Sequence, residues 1–249
     1  MDRAALSHLA HAEHPIAAPL ADRTVRDLLQ RGLRGRTRVV DLGCGDGTWL
    51  LRALQLHPDL KAFGVDLSGA GFDRVRTQAV EAGVADRLEL HHGDARGFDP
   101  GGTTDAVLSI GATHAFGGLL PTLDAARDLL DPGGVLLLGD GFWERAPEEH
   151  ALSALGADVD DFGDLASTVA RVQAAGWTVL HGHVSTLEEW DDYEWSWTGA
   201  LERWARAHPG HADAEQVLEA ADAHRRAWLG GYRGTLGFVT LLLTPTAGE

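Results

Sequence analysis

One short stretch, a buried strand that runs into a glycine-rich turn and then a helix, limits most strongly what this chain can fold into. Residues 39–48 read Val-Val-Asp-Leu-Gly-Cys-Gly-Asp-Gly-Thr, and a helical pattern rich in leucine follows. Glycine permits positive φ and lets the backbone approach a ligand closely, and the free N–H groups at a helix start attract an anionic group. The spacing is G-x-G-x-G, whereas a dinucleotide fingerprint is G-x-G-x-x-G, and Thr48 stands at its third glycine position. The stretch therefore predicts a ligand-binding turn in an α/β fold and disfavours a pyrophosphate cradle.

Short apolar runs alternate with helical patterns over most of the remaining chain. The predicted strands are residues 38–42, 62–67, 88–92, 105–110, 135–139 and 178–184. This alternation predicts βαβ units and a doubly wound α/β fold with a mostly parallel sheet. A seventh run, residues 235–244, follows a long helical segment and is interpreted as an antiparallel last strand.

We expect a single domain over residues 1–249. It is divided into an N-terminal lid segment (1–34), a binding core (35–185), a helical cap inserted between the sixth and seventh strands (186–233), and the last strand with its tail (234–249).

The composition argues against several classes of partner. The chain carries 37 acidic and 21 basic residues, a net charge of −16, and Lys61 is its single lysine. No basic stripe is available to neutralise phosphates, so we expect neither a nucleic acid nor a membrane surface as partner. No apolar run approaches the ~18–20 residues that span a bilayer, and the first residues lack the pattern of a secretion signal. We therefore expect a cytoplasmic protein.

The cysteine and histidine content predicts no metal site. Cys44 is the single cysteine, which excludes an internal disulfide and a cysteine-rich metal cluster. His8, His11 and His14 are spaced by three residues, yet Pro15 interrupts the pattern. We interpret them as flexible surface residues, with a lid over the binding site as the alternative for His14.

Acidic residues follow the second and third predicted strands, as Asp66 and Asp94. The ends of adjacent parallel strands lie side by side, so both acids should border the glycine turn. There Asp66 is suited to accept hydrogen bonds from two ribose hydroxyls, and Asp94 from an adenine amino group. Either acid alone could be a solvated or helix-capping residue, whereas the combination favours a nucleoside site.

These motifs together resemble those of the class I S-adenosylmethionine-dependent methyltransferases. The matching segments are Asp41-Leu-Gly-Cys-Gly-Asp-Gly, Asp66 after the second strand, Gly93-Asp94-Ala95 after the third, and Leu130-Asp-Pro-Gly-Gly-Val before the fifth. The resemblance covers about residues 35–185 and implies a seven-stranded sheet with an antiparallel seventh strand. It implies S-adenosylmethionine as cofactor and S-adenosylhomocysteine as product.

The resemblance also implies which residues bind the cofactor. The glycine turn would bind the methionine part, Asp66 the ribose, and Asp94 with the Ala95 backbone the adenine, with Leu67 against the adenine ring. Cys44 would be a small filler beside the cofactor. The predicted set is Asp41, Gly43, Cys44, Gly45, Asp66, Leu67, Asp94, Ala95 and Ser109.

Candidate catalytic residues follow the fourth and fifth strands, since ligands of open α/β sheets lie beyond the carboxyl ends of the strands. His114 is the first choice for a general base, because the unperturbed pKa of histidine lies near neutrality; the alternative is a loop histidine bonded to backbone. Asp140 and Glu144 could orient an amine or accept a proton. The predicted acceptor pocket comprises Phe116, Phe142, Trp143, Trp190, Trp195 and Trp197.

An aromatic stripe marks the insertion, where Trp190, Tyr193, Trp197, Leu201 and Trp204 recur at helical spacing. The stripe either packs inside the protein or walls a pocket for a cationic or aromatic acceptor. We predict a methyltransferase acting at oxygen or nitrogen of a small molecule or peptide. The alternatives are a nicotinamide-dependent oxidoreductase and a non-catalytic cofactor-binding module.

Overall fold

The structure is a computed structural model that describes Met1 and residues 3–247. The end of the predicted tail, residues 248–249, and position 2 of the predicted lid lie outside the described residues. The α-helices among them are α1 Arg3–Ala10, α2 Asp22–Gly32, α3 Thr48–Leu56, α4 Phe72–Glu81, α5 Leu119–Leu129, α6 Glu149–Leu155, α7 Leu165–Ala174, α8 Leu187–Ala207 and α9 Ala214–Ala227. The strands are β1 Arg38–Leu42, β2 Lys61–Asp66, β3 Leu88–His92, β4 Thr104–Ile110, β5 Leu130–Trp143, β6 Trp177–Val184 and β7 Leu236–Pro245.

The seven strands form one sheet in the order β3-β2-β1-β4-β5-β7-β6. The strand pairs from β3 across to β5 are parallel, and β6 pairs with β7 antiparallel. The predicted doubly wound, mostly parallel sheet with an antiparallel last strand is thus confirmed. The strand order reverses between β1 and β4, and such switch points are where open α/β sheets bind their ligands.

The residues at the starts of α3 and α8 explain where these two helices begin. Gly47 precedes α3 with φ of 87°, a left-handed conformation that glycine adopts without steric cost. Thr186 and Glu189 form a reciprocal capping box at the start of α8, each side chain accepting the other's backbone N–H. The predicted aromatic helix of the insertion therefore has a defined first turn, and α9 follows it before β7.

Strand β5 is longer than the five residues predicted for it. It begins at Leu130, which pairs with Thr104 of β4 across an irregularity in the register, and it continues to Trp143. The next pair joins Val135 to Ala106, so the segment from Asp131 to Gly134 forms the irregularity between the two pairs. The Asp-Pro-Gly-Gly sequence therefore interrupts the pairing with β4, and the exit of the strand moves to Glu144.

The N-terminal segment also differs from expectation, because residues 3–10 form a helix and His14 is buried. The ring Nδ1 of His14 lies 2.7 Å from the carbonyl oxygen of Ile16, and Nε2 of His11 lies 3.1 Å from the hydroxyl of Tyr193. The interpretation of these histidines as flexible surface residues is wrong for His14. The hydroxyl of Tyr193, the partner of His11, could not be identified from local spacing.

The chain divides into two compact units. The sheet unit comprises Ala21–Asp140, Ser167–Val184 and Val239–Glu249, and the helical unit comprises Met1–Leu20, Gly141–Ala166 and Ser185–Phe238. The core of the sheet unit includes the buried aliphatic residues of β1, β4 and β5. One core cluster of the helical unit consists of Ala10, Leu201, Ala205, Val217 and Ala221. None of the helices described is both long and apolar enough to cross a bilayer.

Candidate functional site

Strand register brings the glycine turn beside Asp66. Leu42 pairs with Val65 in the parallel β1–β2 ladder, so the residues that follow these two strands are neighbours. The backbone N–H groups of Gly43 and Cys44 donate to the carbonyl of Val65 at 2.9 and 3.1 Å. The N–H of Gly45 donates to Oδ2 of Asp66 at 2.8 Å. The turn and the acid predicted to share a ligand therefore contact each other directly.

The two leading glycines of the turn are needed for different reasons. Both have positive φ, 82° at Gly43 and 57° at Gly45. A Cβ at Gly43 would approach the Cβ of Ala112 to 2.5 Å, whereas a Cβ at Gly45 would meet no atom within 4 Å. Gly43 is therefore required by packing, and Gly45 exposes backbone towards open space. An open backbone face of this kind suits close approach by a ligand.

Asp41 is a buried acid next to a second acid. Only 2% of the residue is exposed. Burial, and after it the charge of Asp66, raise the pKa of Asp41 to about 7. A positively charged group bound at this position would favour the ionised form. Asp41 thus has the electrostatic character of a site for a cation.

Cys44 lies within the same turn. Burial is the main cause that raises the pKa of its thiol well above the usual range, and the charges of Asp41 and Asp66 add to it. Because the thiolate is the nucleophilic form of cysteine, this side chain is poorly suited to covalent catalysis. Its environment agrees with the predicted role of a small filler.

Asp66, the last residue of β2, and Leu67, which follows it, have side chains in different surroundings. Oδ1 of Asp66 accepts the backbone N–H of Ser68 at 2.8 Å, so each oxygen holds one backbone donor. A carboxylate has about four acceptor sites in total, so two sites are left for further donors. The side chain of Leu67 is 68% exposed, an unusual position for a large apolar group. The Ser68 contact was not predicted, and no sequence signal distinguishes it.

Asp94 is engaged within its own turn. Its carboxylate accepts the backbone N–H of Arg96 at 2.9 Å and a guanidinium N–H of the same residue at 2.6 Å. These side-chain and backbone hydrogen bonds lower the pKa of Asp94. Ala95 is buried beside it. An adenine amino group that binds Asp94, as predicted, would therefore compete with Arg96 for the same carboxylate.

Ser109, the penultimate residue of β4, carries an unpaired hydroxyl. The residue is fully buried, and its Oγ has no hydrogen-bond partner among the described residues. Buried polar groups are normally paired, so an unpaired one at the carboxyl end of β4 is a candidate for contact with a ligand. This agrees with its place in the predicted cofactor-binding set.

The segment after β4 carries the predicted base. His114 is exposed on a short 3₁₀ helix, Thr113–Phe116, and Phe116 is half-buried at its end. The neighbouring Thr113 hydroxyl donates to Oδ1 of Asp140 at 2.9 Å. Asp140 is thereby oriented by a residue that sequence reasoning missed, although Thr113 directly precedes the predicted base.

Phe142 and Trp143 at the end of β5, and Glu144 directly after it, belong to the helical unit. Phe142 and Trp143 are buried, and the indole N–H of Trp143 donates to the carbonyl of Val159 at 2.9 Å. Glu144 is exposed, and its backbone N–H donates to Thr235. The roles predicted for these three residues towards an acceptor stay predictions.

The three tryptophans predicted from α8 have different surroundings. Trp190 is half-buried, and its indole N–H has no partner within the part of the chain that the structure describes. Trp195 is 51% exposed and lies edge-on against Trp228, with ring centroids 4.9 Å apart. Trp197 stacks on His224 at 3.8 Å. Trp195 is thus the most accessible of the three.

Sequence analysis missed a buried acid, Glu194, on the same helix. Its two oxygens lie 2.7 Å from the hydroxyl of Tyr232 and 2.6 Å from Nε2 of His224. From sequence, a glutamate beside an aromatic stripe is interpreted as a surface residue. Its partners, Tyr232 and His224, lie in a distant segment of the chain. Across the described residues, no group of three or more His, Cys, Asp or Glu is arranged to hold a metal.

Comparison with known proteins agrees with the geometry of the sheet unit. The family model of a methyltransferase domain matches residues 39–134. A methyltransferase from Geobacter sulfurreducens, solved with S-adenosyl-L-homocysteine, is 28% identical with a TM-score of 0.88, covering 97% of this chain and 98% of that one. A second, from Thiobacillus denitrificans with the same ligand, is 27% identical with a TM-score of 0.88, covering 98% and 99%.

A curated relative also matches over most of its length. The uncharacterized protein YjhP of Escherichia coli (strain K12) is 29% identical over 221 residues, which are 87% of this chain and 88% of the relative. The strand order, the glycine turn, the acids at successive strand ends and these similarities lead to one assignment. The chain belongs to the class I S-adenosylmethionine-dependent methyltransferases.

Proposed function

We propose that this protein transfers the methyl group of S-adenosylmethionine to an oxygen or nitrogen of a small-molecule or peptide acceptor. The observation that carries the proposal is the contact between the turn and the β2 acid, in which Gly45 donates its N–H to Asp66. This contact leaves acceptor sites on Asp66 for ribose hydroxyls.

Three further features of the sheet unit fit this cofactor. The position of an absent Cβ at Gly45 is open, Leu67 presents an exposed apolar side chain, and Ser109 holds an unpaired buried hydroxyl. In the proposal, the turn and Asp41 hold the amino-acid part, Asp66 the ribose and Leu67 the adenine ring. Asp94 and Ala95 complete the adenine contacts, with Asp94 having to share its carboxylate with Arg96.

The cofactor, when bound, supplies a methyl group on a sulfonium. The protein's task is then to hold the acceptor atom in line with that group, and positioning of this kind is worth on the order of 7–11 kcal/mol. His114 would remove a proton from a hydroxyl acceptor, a contribution of roughly 10²–10⁴-fold. Asp140, oriented by Thr113, would instead align an amine.

The acceptor class is supported by charge and by aromatic content. A net charge of −16 with a single lysine opposes binding of nucleic acids. The aromatic rings of Trp190, Trp195 and Trp197 are proposed to contact the acceptor, because aromatic faces attract cationic and aromatic groups. Phe142 and Trp143 of the same helical unit are proposed as further acceptor contacts, with Glu144 as a second acid. Phe116 of the sheet unit is also proposed as an acceptor contact.

Incubation of the purified protein with methyl-labelled S-adenosylmethionine and a fractionated cell extract tests the proposal. We expect label to appear in a small molecule or peptide, together with S-adenosylhomocysteine. Label found only in RNA or DNA would contradict the proposed acceptor class. Tight binding of S-adenosylhomocysteine without transfer to any fraction would favour a non-catalytic module, and binding of a nicotinamide dinucleotide instead would favour an oxidoreductase.

A further inference from the structure

Asp46 is the charged residue within the glycine turn of the sheet unit. It stands between Gly45 and Gly47, whose φ values are 57° and 87°. Its Oδ1 accepts the backbone N–H of Thr48 at 3.1 Å and the hydroxyl of Thr48 at 2.7 Å. One oxygen of Asp46 therefore secures the start of α3, and the other is available for a partner outside the turn.

That partner is Arg74 of α4, which forms an ion pair with Oδ2 of Asp46. Exposure of the two side chains is 17% for Asp46 and 33% for Arg74, so solvent screens the pair less than a surface pair. The first residues of α4 also come close to the turn, because a Cβ on Gly71 would lie 2.2 Å from the Cβ of Asp46. The helix and the turn are thus packed against each other as well as ion-paired.

The ion pair leaves part of the Arg74 guanidinium group without a hydrogen bond. Its Nε is buried and has no partner among the residues described. A buried unpaired donor is unfavourable, and a more exposed rotamer would hydrate it. The placement is therefore dictated by the turn rather than by the needs of the arginine itself.

The turn is consequently held on both sides. From β2, Val65 and Asp66 accept the N–H groups of Gly43, Cys44 and Gly45. From α4, the guanidinium group of Arg74 forms an ion pair with the carboxylate of Asp46, the residue after Gly45. Without Arg74, the α3 side of the turn would keep only bonds within the turn, from the N–H of Gly47 to the carbonyl of Cys44 and from Thr48 to Asp46. Glycine backbones are the most mobile.

We infer that the Asp46–Arg74 pair sets the glycine turn in its binding shape before cofactor arrives, with Arg74 acting as a positioning residue. The inference rests on the proposed use of this turn for the cofactor. A turn that already has its binding conformation loses less conformational entropy when the cofactor binds. Loss of the pair should weaken cofactor binding by roughly tenfold and leave the rate of the bound enzyme unchanged.

The test uses the full chain with Arg74→Gln, Asp46→Asn, the double variant and Arg74→Lys. The matched control is Asp73→Asn, which removes an exposed ion pair with Arg76 on the same helix. Calorimetry measures the Kd for S-adenosylhomocysteine, and hydrogen exchange of the ligand-free protein measures the backbone mobility of residues 43–48. Steady-state kinetics on the identified acceptor separates KM for S-adenosylmethionine from kcat.

We expect both single variants to bind S-adenosylhomocysteine about tenfold more weakly and the double variant to be no worse than either. Exchange in residues 43–48 should quicken before ligand is added, and KM should rise with kcat within about twofold. Arg74→Lys should recover most of the affinity because it keeps the charge, and the control should match the wild type.

Wild-type affinity in both single variants would overturn the inference and leave the proposed function intact. Weaker binding with unchanged exchange in residues 43–48 would also overturn it, because a direct contact would then be responsible. Failure of the wild-type protein to bind S-adenosylhomocysteine would instead contradict the proposed function. If Arg74→Gln does not fold, Asp46→Asn and Arg74→Lys still give these outcomes.

Discussion

Each unit of the molecule buries a carboxylate, and the surroundings of the two acids are opposite. Asp41 of the sheet unit and Glu194 of the helical unit are both 2% exposed. The charged neighbour of Asp41 is another acid, Asp66, and its pKa is raised to about 7. Glu194 instead lies within hydrogen-bonding distance of Tyr232 and His224.

We propose that the difference separates an acid that binds a ligand from an acid that stabilises the fold. Two neighbouring carboxylates repel each other, so the arrangement at Asp41 costs stability that a bound cation could recover. Around Glu194, burial and the charge of the glutamate raise the pKa of Tyr232, whose hydroxyl stays a proton donor. We therefore propose that the strand ends of the sheet unit bind the cofactor and that the Glu194 cluster stabilises the fold.

The largest expected effect is on catalysis, from His114→Asn. The variant lacks the group proposed to accept the proton of a hydroxyl acceptor, so it should lose about 10²–10⁴-fold in turnover. The exposed side chain holds little of the fold together, so the melting temperature and the Kd for S-adenosylhomocysteine should stay nearly constant. Single-turnover rates measure the effect, with Asp140→Asn and Glu144→Gln in parallel.

A His114 variant within a few-fold of the wild type would remove general-base catalysis by this residue. Positioning of the acceptor would then be the main source of rate. If the acceptor is an amine that binds in its neutral form, we expect the larger loss of turnover in Asp140→Asn or Glu144→Gln. The same single-turnover experiment measures this loss.

The next effect is on stability, from Glu194→Ala. Removing one partner of a buried charged network costs about 3–5 kcal/mol, because Tyr232 and His224 lose their acceptor. Tyr232→Phe, which deletes one donor, should cost about 1–3 kcal/mol. Denaturant unfolding measures both, and below the transition each variant should bind S-adenosylhomocysteine as the wild type does. Normal stability combined with lost turnover would break the comparison, since Glu194 would then serve the reaction.

A third effect depends on pH, through Asp41. An acid whose pKa is raised by folding, here from 3.8 to about 7, binds its proton more tightly in the folded state. Its contribution therefore favours unfolding progressively as pH rises from about 4 to about 7, and stays constant above. Asp41→Asn should remove this slope, with a difference from wild type reaching about 4 kcal/mol at most.

Thermal unfolding of the ligand-free proteins between pH 5 and pH 8 would show the Asp41 effect. The slope is the quantity to compare, because the new amide changes hydrogen bonding equally at each pH. Parallel curves for Asp41→Asn and wild type would contradict the environment described for this acid. The variant should also bind the cationic cofactor more weakly, since its charge partner is gone.

The same contrast explains what could be predicted from sequence. The glycine turn, Asp66 and the sheet topology follow from local patterns, because a strand, its turn and its helix are contiguous and parallel strand ends must align. The Glu194 cluster joins α8, α9 and the π-helical segment Trp228–Tyr232, and no periodicity encodes that meeting. Likewise, nothing in the spacing pairs Asp46 with Arg74, whose helix starts well beyond the turn.

Errors in element bounds have similar causes. The range of β5 starts earlier than predicted because Leu130 pairs with Thr104, whereas the Pro-Gly-Gly segment falls in the irregularity between that pair and the pair of Val135 with Ala106. Asp94 was correctly placed after β3, yet its ion pair with Arg96 depends on side-chain geometry two residues away. Patterns identify elements and their order, whereas tertiary contacts decide which side chains remain available.

The most direct test of the central claim is calorimetry of S-adenosylhomocysteine on the wild type, Asp66→Ala and Asp94→Ala. We predict micromolar affinity for the wild type and a loss of roughly 1.5–3 kcal/mol for Asp66→Ala, the value for removing a charged hydrogen-bond acceptor. Asp94→Ala should lose less, because Arg96 already occupies that carboxylate. Wild-type affinity in both variants would contradict the assignment of the strand ends to the cofactor.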